Sequence, residues 1–152
     1  MKICIWWTGK TKAPYDGMVT DYLHRIKRFH SAELKEFKSK KGTPSQSKQR
    51  EGEAMLKLMA PTDLVFLLDE SGRSFSSLKF SSWIDKQLQS TSRRLIFIIG
   101  GPFGFIEPIK NRAHDKLSLS SMTFTHDMAR VIFLEQIYRA FTIKNNLPYH
   151  HE

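Results

Sequence analysis

Two unbroken apolar runs limit this chain more than any other feature: residues 64–68 (LVFLL) and 95–99 (LIFII). Each is strand-sized and neither alternates. Each therefore predicts a strand covered on both faces, as in a parallel sheet whose connections are helices. The intervening segments supply those helices. From residue 16, Met18, Val19, Tyr22, Leu23, Ile26 and Phe29 recur at helical spacing. Ala54, Met55, Leu58 and Met59 share one face over residues 46–59, which Pro61 ends, and Phe80, Trp83, Ile84 and Leu88 do so over 75–88. A final helix over about 127–145 carries Ala129, Ile132, Phe133, Gln136, Ile137 and Ala140 on one broad face. Lys2–Thr8 reads as a further β-type run, Ala32–Phe37 as an exposed strand, and a turn and short helix follow Gly100. This alternation predicts an α/β fold with a mostly parallel sheet flanked by helices, and 152 residues fit one domain.

Several classes are excluded. No apolar run approaches the roughly 20 residues of a membrane helix, and MKICIWWTGK lacks the apolar core and cleavage site of a signal peptide. Cys4 is the single cysteine, which leaves no intrachain disulfide and no cysteine-based zinc cluster. The six histidines, His24, His30, His114, His126, His150 and His151, form no His-Glu-x-x-His pair, so no metal is expected. The expectation is a soluble, cytoplasmic protein.

Net charge is +9, and it is uneven: residues 1–50 hold 12 basic and 4 acidic side chains, the remainder 12 and 11. A basic half joined to a neutral half points to a polyanion such as nucleic acid. Lys10, Lys12, Arg25, Lys27, Arg28, Lys40 and Lys41 are the candidates for holding RNA phosphates, a contact that positions without reading sequence.

The chemistry belongs after the two buried strands, since ligands of open α/β sheets bind beyond the carboxyl ends of strands. Leu67-Leu68-Asp69-Glu70-Ser71-Gly72 follows one and Gly100-Gly101-Pro102-Phe103-Gly104 the other. Neither is a phosphate-binding fingerprint: no Lys-Ser/Thr follows the glycines, and Pro102 lacks an amide N–H. Such a loop suits a flat, uncharged group such as adenine. The segment 117–126 (LSLSSMTFTH) mixes hydroxyls and apolar residues without helical or strand periodicity, directly before a strong helix. Arg130 lies one turn after His126, which allows both side chains to point the same way. Ser, His and Asp together invite a hydrolase reading, but no Gly-x-Ser-x-Gly elbow is present. The ending, 146–152 (NLPYHHE), is aromatic and polar enough to fold over a site and stack on a base.

The strings IIGGPFGF and SLSSMTFTHDMARVIFLEQIYRAFTIKNNLPYH resemble the ribosomal RNA large subunit methyltransferase H family of the SPOUT class. The similarity extends over the whole chain. It implies an enzyme that uses S-adenosylmethionine to methylate N3 of a pseudouridine in a 23S rRNA hairpin on the assembled 70S ribosome. It further implies a single SPOUT domain with a carboxyl-terminal trefoil knot, and a homodimer. Leu68, Gly100, Gly101, Gly104, Leu119, Ser120, Ser121, Met122, Thr123 and Phe124 match positions that line the cofactor. His126, Arg130, Tyr149 and His150 match the family's active centre; Arg130 would stabilise charge on the uracil ring, Tyr149 would stack on it, and either His150 or His126 would take the N3 proton. His151 stands where the family often has Arg or Lys. Two other readings keep the same features: a non-catalytic RNA-binding ribosome factor, and a SPOUT enzyme acting on tRNA. A symmetric partner is also expected to cover apolar surface on the final helix, at Ile132, Phe133, Ile137 and Phe141.

Overall fold

The computed structural model describes residues 1–39, 41–90 and 93–151. Among them, strands β1 (Lys2–Thr8), β2 (Ala32–Phe37), β3 (Leu64–Ser74), β4 (Arg94–Ile99) and β5 (Asp115–Ser118) form one sheet in the order β2-β1-β4-β3-β5. Every pairing is parallel. Helices α1 (Tyr15–Lys27), α2 (Pro44–Leu58), α3 (Ser77–Leu88), α4 (Glu107–Arg112) and α5 (His126–Lys144) connect and cover the strands.

The unbroken apolar runs exist because each strand serves two cores. Ile3, Ile5, Trp7, Phe66, Leu95, Phe97 and Ile99 pack under α1, α3 and α5. Their alternating neighbours Cys4, Trp6, Val65, Leu67, Ile96 and Ile98 pack under α2 and α4. Side chains alternate faces along a strand, so a run with no polar gap is what a sheet covered on both sides demands. Connections toward β2 carry α1 and α3 over one face; those toward β5 carry α2 and α4 over the other, as a constant crossover hand requires. Helix starts follow local chemistry. Thr43, directly ahead of Pro44, forms a capping box with Gln46, so α2 begins two residues before the expected residue 46.

Asp63, just before β3, is 1% exposed. Its oxygens accept from Arg94 Nε (3.0 Å) and Nη2 (2.6 Å) and from the Ala60 N–H (2.7 Å). Burial opposes its ionisation, yet these hydrogen bonds hold the carboxyl below the ordinary aspartate value.

The structure departs from expectation in three places. β3 runs on to Ser74, with an irregularity across which Leu68 and Arg73 both pair with Leu117. A Cβ at Gly72 would meet the Lys116 carbonyl carbon at 2.6 Å and the Leu117 nitrogen at 2.7 Å, so only glycine lets these backbones approach. β5 lies where no strand periodicity was legible. Finally, Phe133, Ile137 and Phe141 are already buried in the chain's own core, and Ile132 is half-buried. The apolar face of α5 therefore gives no reason by itself for a partner subunit. No helix among the described residues is long and apolar enough to cross a membrane.

Candidate active site

Because all strands run the same way, their carboxyl ends share one edge of the sheet, and a cleft of about 750 Å³ opens there. Ile99, Gly100, Gly101, Pro102 and Gly104 line it from the end of β4 and its loop, and Leu68, Asp69, Glu70 and Ser71 from β3. Leu119, Ser120, Met122, Thr123, Phe124 and Thr125 line it from the segment after β5, with His126 and Ala129 from the first turn of α5. Every residue expected to line a cofactor is thus brought together except Ser121, an exposed member of the same segment. A Cβ at Gly100 would meet the Phe105 ring at 2.9 Å, whereas one at Gly101 would meet nothing within 4 Å.

The hydroxyls that break the periodicity of this segment hold its backbone. Ser118 Oγ donates to the Ser120 carbonyl (2.9 Å), Ser120 Oγ accepts from the Met122 N–H (3.0 Å), and Thr125 Oγ1 caps α5 by accepting from the Met128 N–H (3.3 Å). Thr125 is thus the N-cap of α5. Met122, 74% exposed, stands at the cleft rim.

Asp69, Glu70 and Ser71 escaped the residue-by-residue expectation; the signal was their place directly after a buried strand. Asp69 Oδ1 accepts from Ser71 Oγ (2.6 Å) and the Ser71 N–H (2.8 Å), and these bonds hold its carboxyl below the ordinary range. The cleft therefore contains a fixed negative charge at neutral pH.

The residues expected at a catalytic centre are divided. His126 is exposed and lines the cleft. Arg130 turns inward and is 3% exposed. It donates to the Thr8 carbonyl (2.7 Å) and Thr11 Oγ1 (3.1 Å), lies 3.4 Å from Asp127 Oδ1, and stacks over Trp7 at 4.8 Å. Burial pushes its pKa down, against the pull of Asp127 and Glu36. Glu36 completes the cluster, accepting from Trp7 Nε1 (2.9 Å) and the Thr11 N–H (3.0 Å). Arg130 thus ties the loop after β1 to α5.

Tyr149 and His150 fold back along α5. Tyr149 donates to Glu135 Oε1 (3.1 Å) and packs edge-on to Tyr138 at 4.7 Å, while Arg139 donates to His150 Nδ1 (3.0 Å). Burial, with Tyr22 and Glu135 close by, pushes the Tyr149 hydroxyl pKa up. Glu135 and Arg139 lie about 14 and about 20 Å beyond His126 along the helix axis, at roughly 1.5 Å per residue. The tail therefore packs away from the cleft of its own chain.

The basic candidates also divide. Lys10, Lys12 and Lys41 follow β1 and β2 and are exposed at the cleft edge of the sheet. Arg25, Lys27 and Arg28 end α1, which has run back to the opposite edge, where Arg25 pairs with Asp21 (3.2 Å) and lies over Tyr22 and Tyr138. Lys40 lies outside the described residues.

The family model described as a predicted SPOUT methyltransferase matches residues 1–150. A Bacteroides fragilis protein named ribosomal RNA large subunit methyltransferase H is 46% identical over a 157-residue alignment spanning 100% of both chains. Its namesake from Trichlorobacter lovleyi is 45% identical, over 99% of this chain and 100% of its own. Among solved structures, a probable methyltransferase from Bordetella pertussis Tohama I shares the fold at TM-score 0.56 and 13% identity, over 91% of this chain and 95% of the other.

Proposed function

The chain belongs to the SPOUT methyltransferase family, among the relatives named ribosomal RNA large subunit methyltransferase H, and on that premise we propose that it transfers a methyl group from S-adenosylmethionine to N3 of a pseudouridine in a 23S rRNA hairpin on the assembled ribosome. The cleft carries this reading. Its volume lies in the range of small-ligand sites. Leu68, Leu119 and Phe124 offer apolar walls for a flat ring, while Gly100 and Gly101 present backbone without side chains to the cleft. Ser120, Met122, Thr123 and Gly104 complete the lining, and Ser121 belongs to the same segment. The donor set fits a nucleoside with little phosphate character. Bound there, S-adenosylmethionine supplies an electrophilic methyl group on its sulfonium.

The chain's own residues then have three tasks. His126, on the cleft rim, accepts the N3 proton, as an imidazole suits near neutrality. The start of the 19-residue helix α5 faces the cleft with its positive dipole end, favouring the charge that develops on the uracil ring. Lys10, Lys12 and Lys41 hold phosphates along the same edge. Arg130 serves by anchoring the Lys10–Lys12 loop.

Tyr149 and His150 act across a homodimer in this reading, the tail of one subunit closing the cleft of the other. The packing of the tail away from its own cleft supports that arrangement. While Arg139 donates to Nδ1, a neutral His150 carries its proton on Nε2; it becomes a base only after that bond opens. The trefoil knot belongs to the same proposal, as an implication of the family.

Radiolabel transfer from S-adenosylmethionine to 70S particles, free 50S subunits and tRNA tests the proposal. Label in 70S particles supports it. Label in tRNA favours a tRNA enzyme, and no label in any of them favours a non-catalytic RNA-binding factor.

A further inference from the structure

The loop after β4 has two sides. Gly100, Gly101, Pro102 and Gly104 line the cleft, while Phe103 at the tip is 57% exposed. The turn is closed by the Gly104 N–H donating to the Gly101 carbonyl (3.2 Å), with Gly104 at φ +74°, a conformation that costs glycine little. From α2, Lys48 Nζ donates to the Phe103 carbonyl (3.2 Å). An exposed aromatic ring and an ammonium group therefore share the same loop tip. A single exposed aromatic is ordinary by itself; the position of this one is not. In the sheet order β2-β1-β4-β3-β5, the β4 loop separates two halves of one edge. On one side β1 and β2 lead into Lys10, Lys12, Lys38 and Lys41, all exposed. On the other lies the cleft.

We propose that Phe103, with Lys48 beside it, is a stacking platform for an unpaired nucleobase of the RNA substrate, a neighbour of the base that enters the cleft. Unpaired RNA bases are held by aromatic faces, and their phosphates by adjacent cations. A strand crossing from the lysine edge to the cleft must pass this loop tip. The charge of the lysine edge selects a polyanion, and the ring gives that polyanion's bases a face to lie on. The proposal rests on the RNA-methyltransferase reading and adds to it the residue that grips the substrate next to its target.

Phe103→Ala, Phe103→Leu and Phe103→Trp are compared with wild type in ribosome KM, in anisotropy binding of labelled oligouridylate, and in calorimetric S-adenosylmethionine affinity. The alanine and leucine variants are expected to weaken oligouridylate binding by about 5- to 150-fold, the span of one stacked base, and to raise ribosome KM. The tryptophan variant stays within about twofold of wild type, and cofactor affinity is unchanged throughout. Oligouridylate binding unaltered in Phe103→Ala, or a leucine variant equal to wild type, overturns the platform. A wild-type protein that methylates no RNA would defeat the methyl-transfer reading instead, and oligouridylate binding alone then decides the platform.

Discussion

Replacing Arg130 by methionine separates anchoring from direct action on the substrate. The guanidinium makes two good hydrogen bonds, to the Thr8 carbonyl at 2.7 Å and Thr11 Oγ1 at 3.1 Å. Bonds from a charged donor contribute about 1.5–3 kcal/mol each. Against that loss, Arg130 Nε is buried without a hydrogen-bond partner, and removing such a group recovers about 1–3 kcal/mol. Methionine also keeps apolar contact with Trp7. The net destabilisation is about 2 kcal/mol. At about 2–4 °C per kcal/mol for a chain of this size, Tm falls by roughly 4–8 °C. The loop carrying Lys10 and Lys12 loses its tie to α5, so KM for ribosomes rises while S-adenosylmethionine affinity holds. Thermal unfolding, calorimetry and initial rates on one preparation read all three. An unchanged Tm and KM with kcat reduced by about 100-fold would refute the anchoring argument, because the guanidinium would then be acting on the reacting base.

Asp63→Asn should destabilise the chain by about 3 kcal/mol, the low end for breaking a buried ion pair because Arg94 is partly exposed; urea denaturation measures it. Asp63 has a depressed folded pKa, so its stabilisation is fully present above the unfolded value near 3.8 and is lost as pH falls through the lower folded value. The Asp63→Asn variant should therefore show a shallower acid-unfolding profile. Gly101→Leu projects into open space and should keep the wild-type Tm while weakening S-adenosylmethionine binding at least tenfold by calorimetry; equal affinity would remove this loop from the site. Deleting residues 148–152 should leave a folded, cofactor-binding dimer with almost no methyl transfer. Mixing it with Gly101→Leu should restore activity once mass spectrometry confirms subunit exchange, and no rescue would mean each subunit uses its own tail.

What the sequence made legible follows from the range of the forces involved. β1 is readable because a charge and a turn bound a short apolar run, and the cores of β3 and β4 because two-sided burial leaves no polar gap. β5 is four residues, DKLS, positioned by its pairing with β3 across more than forty residues of chain, and its own composition says little. The loops after β3 and β4 were legible as cleft walls since loops after parallel strands converge by topology, whereas the segment 119–124 was placed there by the family resemblance. Arg130 was not legible, because helical spacing sets the direction of a Cα–Cβ bond and not whether a long side chain turns in toward Trp7. Nor does linear order reveal that α1 carries Arg25, Lys27 and Arg28 to the far edge, or that Tyr149 returns to Glu135.

The identity of the modified nucleoside tests the assigned reaction most directly. Ribosomes from a strain lacking this protein are incubated with it and methyl-labelled S-adenosylmethionine, and the 23S rRNA is digested to nucleosides for chromatography and mass spectrometry. Label is expected in N3-methylpseudouridine alone, and none when His126→Ala replaces the wild type. Label in a ribose-methylated nucleoside, or in a base other than pseudouridine, would contradict that assignment.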